Sequence, residues 1–137
     1  AYTWVLEHAP QSIAAHEAMF KIASVYEQQQ KVDEAVAMYE RAATAAMNDT
    51  AANARFRLGE LFEKQEQYNM AAKNYMRVAI LFLHPTLSPE ALLRAGRCYE
   101  KASNPDSALK TYLDIIKEYP DSDQAKEAQE RVLALKQ

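Results

Sequence analysis

Apolar residues recur along this chain at spacings of three and four, and not by alternation. Met19, Ile22, Ala23 and Tyr26 follow the i, i+3, i+4, i+7 rule for one face of a helix. Ala35, Met38, Tyr39 and Ala42 follow it again, as do Leu92, Ala95, Gly96 and Tyr99. Polar positions fill the opposite faces. The pattern predicts helices in pairs, joined by short turns at 28–31, 65–67 and 102–104. Ser88-Pro89-Glu90 and Asn104-Pro105-Asp106 read as an N-cap, a first-position proline and an acid near the positive helix end. Ser12, Asp49 or Thr50, and Ser122 are the other N-cap candidates. Pro10, Pro85 and Pro120 fall between helices, where proline stops the preceding one.

The paired pattern repeats. Ile22-Ala23-x-x-Tyr26 is followed by Ala35-x-x-x-Tyr39-x-x-Ala42. Leu58-Gly59-x-x-Phe62 leads to Ala71-x-x-x-Tyr75-x-x-Val78, and Ala95-Gly96-x-x-Tyr99 to Ala108-x-x-x-Tyr112-x-x-Ile115. Ala23 lies 36 residues before Gly59, and Gly59 lies 37 before Gly96. A period in this range is the mark of a repeat array.

Composition sharpens this reading. Only two of the 137 residues are glycine, against about nine or ten at average usage. Sheet hairpins and phosphate loops both consume glycine, so neither is expected. Alanine, the best helix former, occurs 25 times. The two glycines share one position in successive first helices, and a recurring glycine inside a helix, at a cost of about 1 kcal/mol relative to alanine, needs a reason. Sixteen cations against 19 acids leave a charge of −3, which does not favour nucleic acid or an anionic membrane. The longest apolar run, Val78 to Leu83, is far short of the roughly 18 residues of a membrane span.

The pattern resembles the tetratricopeptide repeat, a helix–turn–helix unit of about 34 residues. Lys31 to Ala42 is close to that family's second-helix consensus, and the match runs through nearly the whole chain. The family's early tryptophan is replaced by Met19, Arg55 and Leu92, and its terminal proline by Met47 and Leu83. The resemblance implies an all-α, right-handed superhelix. Residues 1–10 would be the end of a preceding repeat, followed by repeats at 12–47, 49–84 and 88–120 and a capping helix at 122–137. Tyr2 would then align with Tyr39, as expected for a fragment of a longer array. The Glu118–Ser122 connection and the long period resemble bacterial cell-envelope scaffolds of this family. That implies the periplasm or envelope, with the cytoplasm as the alternative.

Catalytic chemistry is not expected. His16-Glu17-Ala18-Met19-Phe20 opens like a zinc-protease helix, but Phe20 stands where the second histidine belongs. His8, His16 and His84 share no ligand spacing and read as surface or loop residues. Cys98, the only cysteine, reads as a packed thiol. No cofactor or metal is implied.

The resemblance instead implies a non-catalytic scaffold that takes a protein or peptide segment in its concave groove. The family's groove positions fall on Phe20, Lys21, Phe56, Arg57, Leu93, Arg94 and Arg97. Lys21, Arg57 and Arg94 form a basic column beside the apolar column of Phe20, Phe56 and Leu93, which suits a partner with acidic groups. The same columns also suit packing between neighbouring first helices with a solvated cationic edge. A chaperone-tail clamp is not expected, because Phe20, Ser24, Arg57 and Glu90 depart from it and only Arg94 agrees. Ile80, Leu81, Phe82 and Leu83 make a second candidate interface, with burial under the following loop as the alternative. Two further readings stay open: a self-assembly module, and a non-catalytic arm of a multidomain protein.

Overall fold

The computed structural model describes residues 2–8, 12–45, 47–82 and 86–137. The described residues form eight α-helices and no strand. They are α1 (Tyr2–His8), α2 (Ile13–Gln28), α3 (Val32–Ala45), α4 (Asp49–Lys64), α5 (Tyr68–Phe82), α6 (Leu87–Lys101), α7 (Pro105–Glu118) and α8 (Asp123–Leu135). The chain divides into two compact units, Ala1–Leu61 and Phe62–Gln137.

In the first unit, α2 packs against α1 and forms a tight pair with α3. The Ser12 hydroxyl caps α2, accepting from the Ala15 N–H at 3.0 Å. Alanines occupy much of the interior: Ala15, Ala23, Ala35, Ala51 and Ala54 are all fully buried. Small side chains there let backbones approach closely, and larger groups such as Tyr39 and Leu58 fill the remaining volume. In the second unit, α6 packs on α5 and α7, and α8 closes over α7 with a smaller contact to α6. Its core joins Leu92 and Leu93 of α6, Tyr112 and Ile115 of α7, and Ala125, Ala128 and Val132 of α8.

The connections after α2, α4 and α6 are built alike. Gln30, Glu66 and Ser103 each adopt φ 61°, the left-handed region. The residue after each one then donates back to the helix: Lys31 N–H to Tyr26 at 2.9 Å, Gln67 to Phe62 at 2.9 Å and Asn104 to Tyr99 at 2.8 Å. This is the Schellman closure, which satisfies helix-end carbonyls and reverses the chain. Glycine is the usual occupant of the left-handed site, and here none of the three is glycine.

Three local expectations are corrected. The α4 cap is Asn48, whose Oδ1 accepts from Ala51 N–H at 2.9 Å, and neither Asp49 nor Thr50. Ser88 does not cap α6: the helix begins at Leu87, so Ser88 lies buried in its first turn. His16 is neither a surface nor a loop residue. It sits inside α2 at 5% exposure, with neither ring nitrogen hydrogen-bonded among the described residues. The helical face that buries Ala15 and Met19 carries it inward. His8 is exposed, its ring stacked at 4.3 Å on exposed Trp4, and His84 lies outside the described residues.

Candidate partner-binding site

A buried tyrosine hydroxyl needs a partner, and each second helix supplies one such tyrosine. Tyr39, Tyr75 and Tyr112 are fully buried. Each donates to a glutamate 12 residues earlier, in the last turn or two of the preceding helix: Tyr39 to Glu27 at 2.9 Å, Tyr75 to Glu63 at 2.9 Å and Tyr112 to Glu100 at 2.5 Å. Burial is the main reason all three tyrosines hold their protons more tightly than usual. A cation then completes each glutamate. Arg57 donates through Nη2 to Glu27 and through Nη1 to Glu60 at 2.8 Å. Lys101 lies 3.7 Å from Glu63, and Arg131 of α8 grips both oxygens of Glu100. The Glu100 carboxyl is held below its ordinary range, chiefly by the Arg131 hydrogen bond, with burial opposing and Tyr112 assisting.

These contacts redistribute the residues that sequence reasoning marked as a groove. In the first unit Phe20 is half-buried, its ring edge-on to Tyr39 at 5.4 Å. Lys21 is exposed beside it. The two residues line a cleft of about 190 Å³ with Glu17, Thr50 and Asn53, formed by α2 and α4. Phe56 is half-buried one turn beyond Asn53, and Arg57 is committed to Glu27 and Glu60.

In the second unit Leu93 is a core residue at 3% exposure, so a surface contact there gives way to packing inside the cluster that α7 and α8 complete. Arg94 lies 3.8 Å from Glu90 and also bonds the Tyr75 hydroxyl. Arg97 is exposed and bonds Glu127 of α8. Ile80 and Leu81 are exposed at 65% and 45%. The Phe82 side chain and Leu83 lie outside the described residues.

The glutamates Glu27, Glu63 and Glu100, and Arg131, are what sequence reasoning missed as a connected set. The signal was present: the glutamates are spaced 36 and 37 apart, and Arg57, Arg94 and Arg131 are spaced 37 apart. Among the described residues no group of three or more His, Cys, Asp or Glu is placed to hold a metal ion. Cys98 is buried, and burial pushes its thiol up to about 12, with the charge of Glu63 adding to the effect. No described helix is long and apolar enough to cross a membrane.

Helix pairs closed by the same turn and the same tyrosine–glutamate bond define a helical repeat protein. Family models of the tetratricopeptide repeat match residues 1–50, 20–86 and 90–122, well over half of the chain, and the chain belongs to that family. No curated protein sequence matches it significantly. Among solved structures, it is similar to the N-terminal domain of stress-induced protein-1 (STI-1) from C. elegans. That match has a TM-score of 0.74 and 15% identity over 90% of this chain and 95% of that one. The TPR domain of Arabidopsis OM64 aligns with a TM-score of 0.62 and 18% identity, covering 86% of this chain and 93% of that one. YrrB, a TPR protein with an unusual peptide-binding site, aligns with a TM-score of 0.62 and 24% identity over 98% of this chain and 70% of that one. At these identities the likeness concerns the fold.

Proposed function

We propose that this chain is a non-catalytic interaction scaffold whose first-helix surface takes a partner segment bearing acidic groups. The observation that carries the reading is the cleft formed by α2 and α4. It offers an aromatic wall, Phe20, beside an exposed ammonium, Lys21, with the Glu17 carboxylate one turn before it on α2 and the polar side chains of Asn53 and Thr50. Apolar contact with a few placed polar groups is the usual recipe for holding a peptide side chain. Lys21 forms no ion pair among the described residues, so its charge is available to a partner carboxylate. Arg57 is less available, because a partner would have to displace Glu27 and Glu60. Arg97 is intermediate: its pair with Glu127 is exposed, and exposed pairs are worth only about 0–1 kcal/mol.

YrrB, a relative in fold, has a peptide-binding site, and that is consistent with this reading. The test is a fluorescence anisotropy titration with a labelled peptide of alternating leucine and glutamate pairs. Lys21→Glu is expected to weaken binding by about tenfold or more, with helical content unchanged. Equal affinity of parent and variant would overturn the assignment of this cleft.

A further inference from the structure

The α2–α4 cleft holds more than the cation that a partner carboxylate would meet. Five residues line it: Glu17, Phe20 and Lys21 of α2, and Thr50 and Asn53 of α4. Glu17, Lys21 and Asn53 are exposed, and Phe20 and Thr50 are half-buried. Among the described residues, none of the four polar side chains has a hydrogen bond or an ion pair. Glu17 precedes Lys21 by four residues, the order and spacing in which an acid and a base on one helix pair best. In the structure they do not pair, so the cleft presents a separate carboxylate and a separate ammonium.

A segment carrying acids alone would satisfy Lys21 and be repelled by Glu17, whereas a segment carrying one cation and one acid satisfies both. The distance along α2 fixes how far apart those two must be. Four helical residues advance about 6 Å and two residues of extended chain about 6.6 Å, so side chains i and i+2 of an extended segment reach both charges. The volume of about 190 Å³ suits such a segment and not a helix, which is about 10–12 Å across with its side chains. A second copy of this chain does not supply one. The described residues contain no strand, and the connections after α2, α4 and α6 are closed turns. Lys31 with Asp33, and Lys64 with Glu66, have the required spacing but sit at those turns, where Lys31 N–H is bonded back to Tyr26 and Glu66 takes φ 61°.

Resting on the reading that Lys21 takes a partner carboxylate, we propose that the bound partner segment is extended and of mixed charge, with a lysine or arginine on Glu17 two residues from the acid on Lys21. The residue between them points the opposite way, toward Thr50 and Asn53 of α4, and the aliphatic stem of the cation covers Phe20. Glu17 is then the residue that selects mixed-charge segments over purely acidic ones.

The test titrates the whole chain, at low ionic strength, with two labelled ten-residue peptides of identical composition. Each has one central glutamate and one lysine, placed two residues from the glutamate in the first peptide and at the far end in the second. Equal net charge removes any general attraction to the acidic chain. The first peptide is expected to bind about threefold more tightly, the gain of one exposed ion pair. Glu17→Gln should bring that ratio to one, and Lys21→Glu should weaken both peptides. Both side chains are exposed, so circular dichroism should stay unchanged. A ratio of one in the parent, or a ratio that survives Glu17→Gln while Lys21→Glu still weakens both peptides, overturns this proposal alone. If Lys21→Glu leaves the second peptide's affinity unchanged, the carboxylate reading of the cleft fails and takes this proposal with it. A concentration-dependent dimer in sedimentation velocity that Glu17→Gln disperses also overturns it, because the occupant would then be a second copy.

Discussion

At the scale of single residues, Gly96 shows two physical effects in direct opposition. A glycine inside a helix costs about 1 kcal/mol relative to alanine, so Gly96→Ala ought to stabilise α6. A Cβ built there, however, would stand 2.5 Å from Cε1 and 2.8 Å from Cζ of Tyr112. That ring cannot step aside cheaply. It is fully buried, and its hydroxyl is tied to Glu100. Overpacking of this kind costs about 1–3 kcal/mol, which exceeds the helix-propensity gain. Gly96→Ala is therefore expected to lose about 1–2 kcal/mol net, read as a lower urea midpoint at unchanged slope. A variant as stable as the parent would mean that the Tyr112 ring yields to the added methyl without cost. The same scale explains what the sequence could not announce. Gln30, Glu66 and Ser103 take a left-handed backbone with no glycine to signal it. His16 is buried because the apolar face of α2 carries it inward, although its residue type argues for the surface.

At the scale of helix pairs, the recurring unit is a buried tyrosine, a glutamate 12 residues before it, and a cation from another helix. Glu100 shows how this unit responds to pH. Its carboxyl is depressed in the folded chain, first by Arg131 and then, against the opposing effect of burial, by Tyr112. A depressed carboxylate stabilises the fold above its ordinary value of 4.5, and that stabilisation is lost as pH falls through the lower folded value. Glu100→Gln is therefore expected to be less stable than the parent at neutral pH. The gap should close as the solution is acidified below pH 4.5, which urea midpoints across that range would show. A gap that is constant with pH would mean that the carboxylate charge is not what holds Arg131 and Tyr112. The helix pairs themselves were legible in the sequence, because apolar spacing and a fixed period both depend on near neighbours. The roles of the basic residues were only half legible. Arg57 and Arg94 share one position in the repeat, but the partner of Arg57 is Glu27, 30 residues away. Leu93 could not be told from Phe20 and Phe56 by type or spacing, and it is buried in a cluster that draws on α5, α7 and α8 as well as α6.

At the scale of the whole molecule, the single cysteine is a built-in reporter on the second unit. Cys98 is fully buried on α6, and its thiol is pushed up to about 12 by burial first and by the charge of Glu63 second. Only the thiolate attacks a disulfide reagent, and the ordinary value for the group is 9.0. At mildly alkaline pH the shift alone cuts the reactive fraction by about a thousandfold, because each unit of pKa is a factor of ten. Steric closure by the surrounding helices adds to that. Labelling of the native chain is therefore expected to proceed through opening of the second unit, at a rate set by the opening equilibrium and the reaction of the exposed thiol. Gly96→Ala is expected to destabilise the unit that buries Cys98, so its labelling should accelerate by roughly tenfold for each 1.4 kcal/mol of stability lost. Absorbance stopped-flow with an aromatic disulfide measures both rates directly, with the urea-unfolded chain as the reference. Native labelling as fast as the unfolded reference would show that the folded second unit does not shield Cys98. Equal rates in parent and Gly96→Ala, despite a measured loss of stability, would mean that the thiol is reached without opening the core that Gly96 and Tyr112 share.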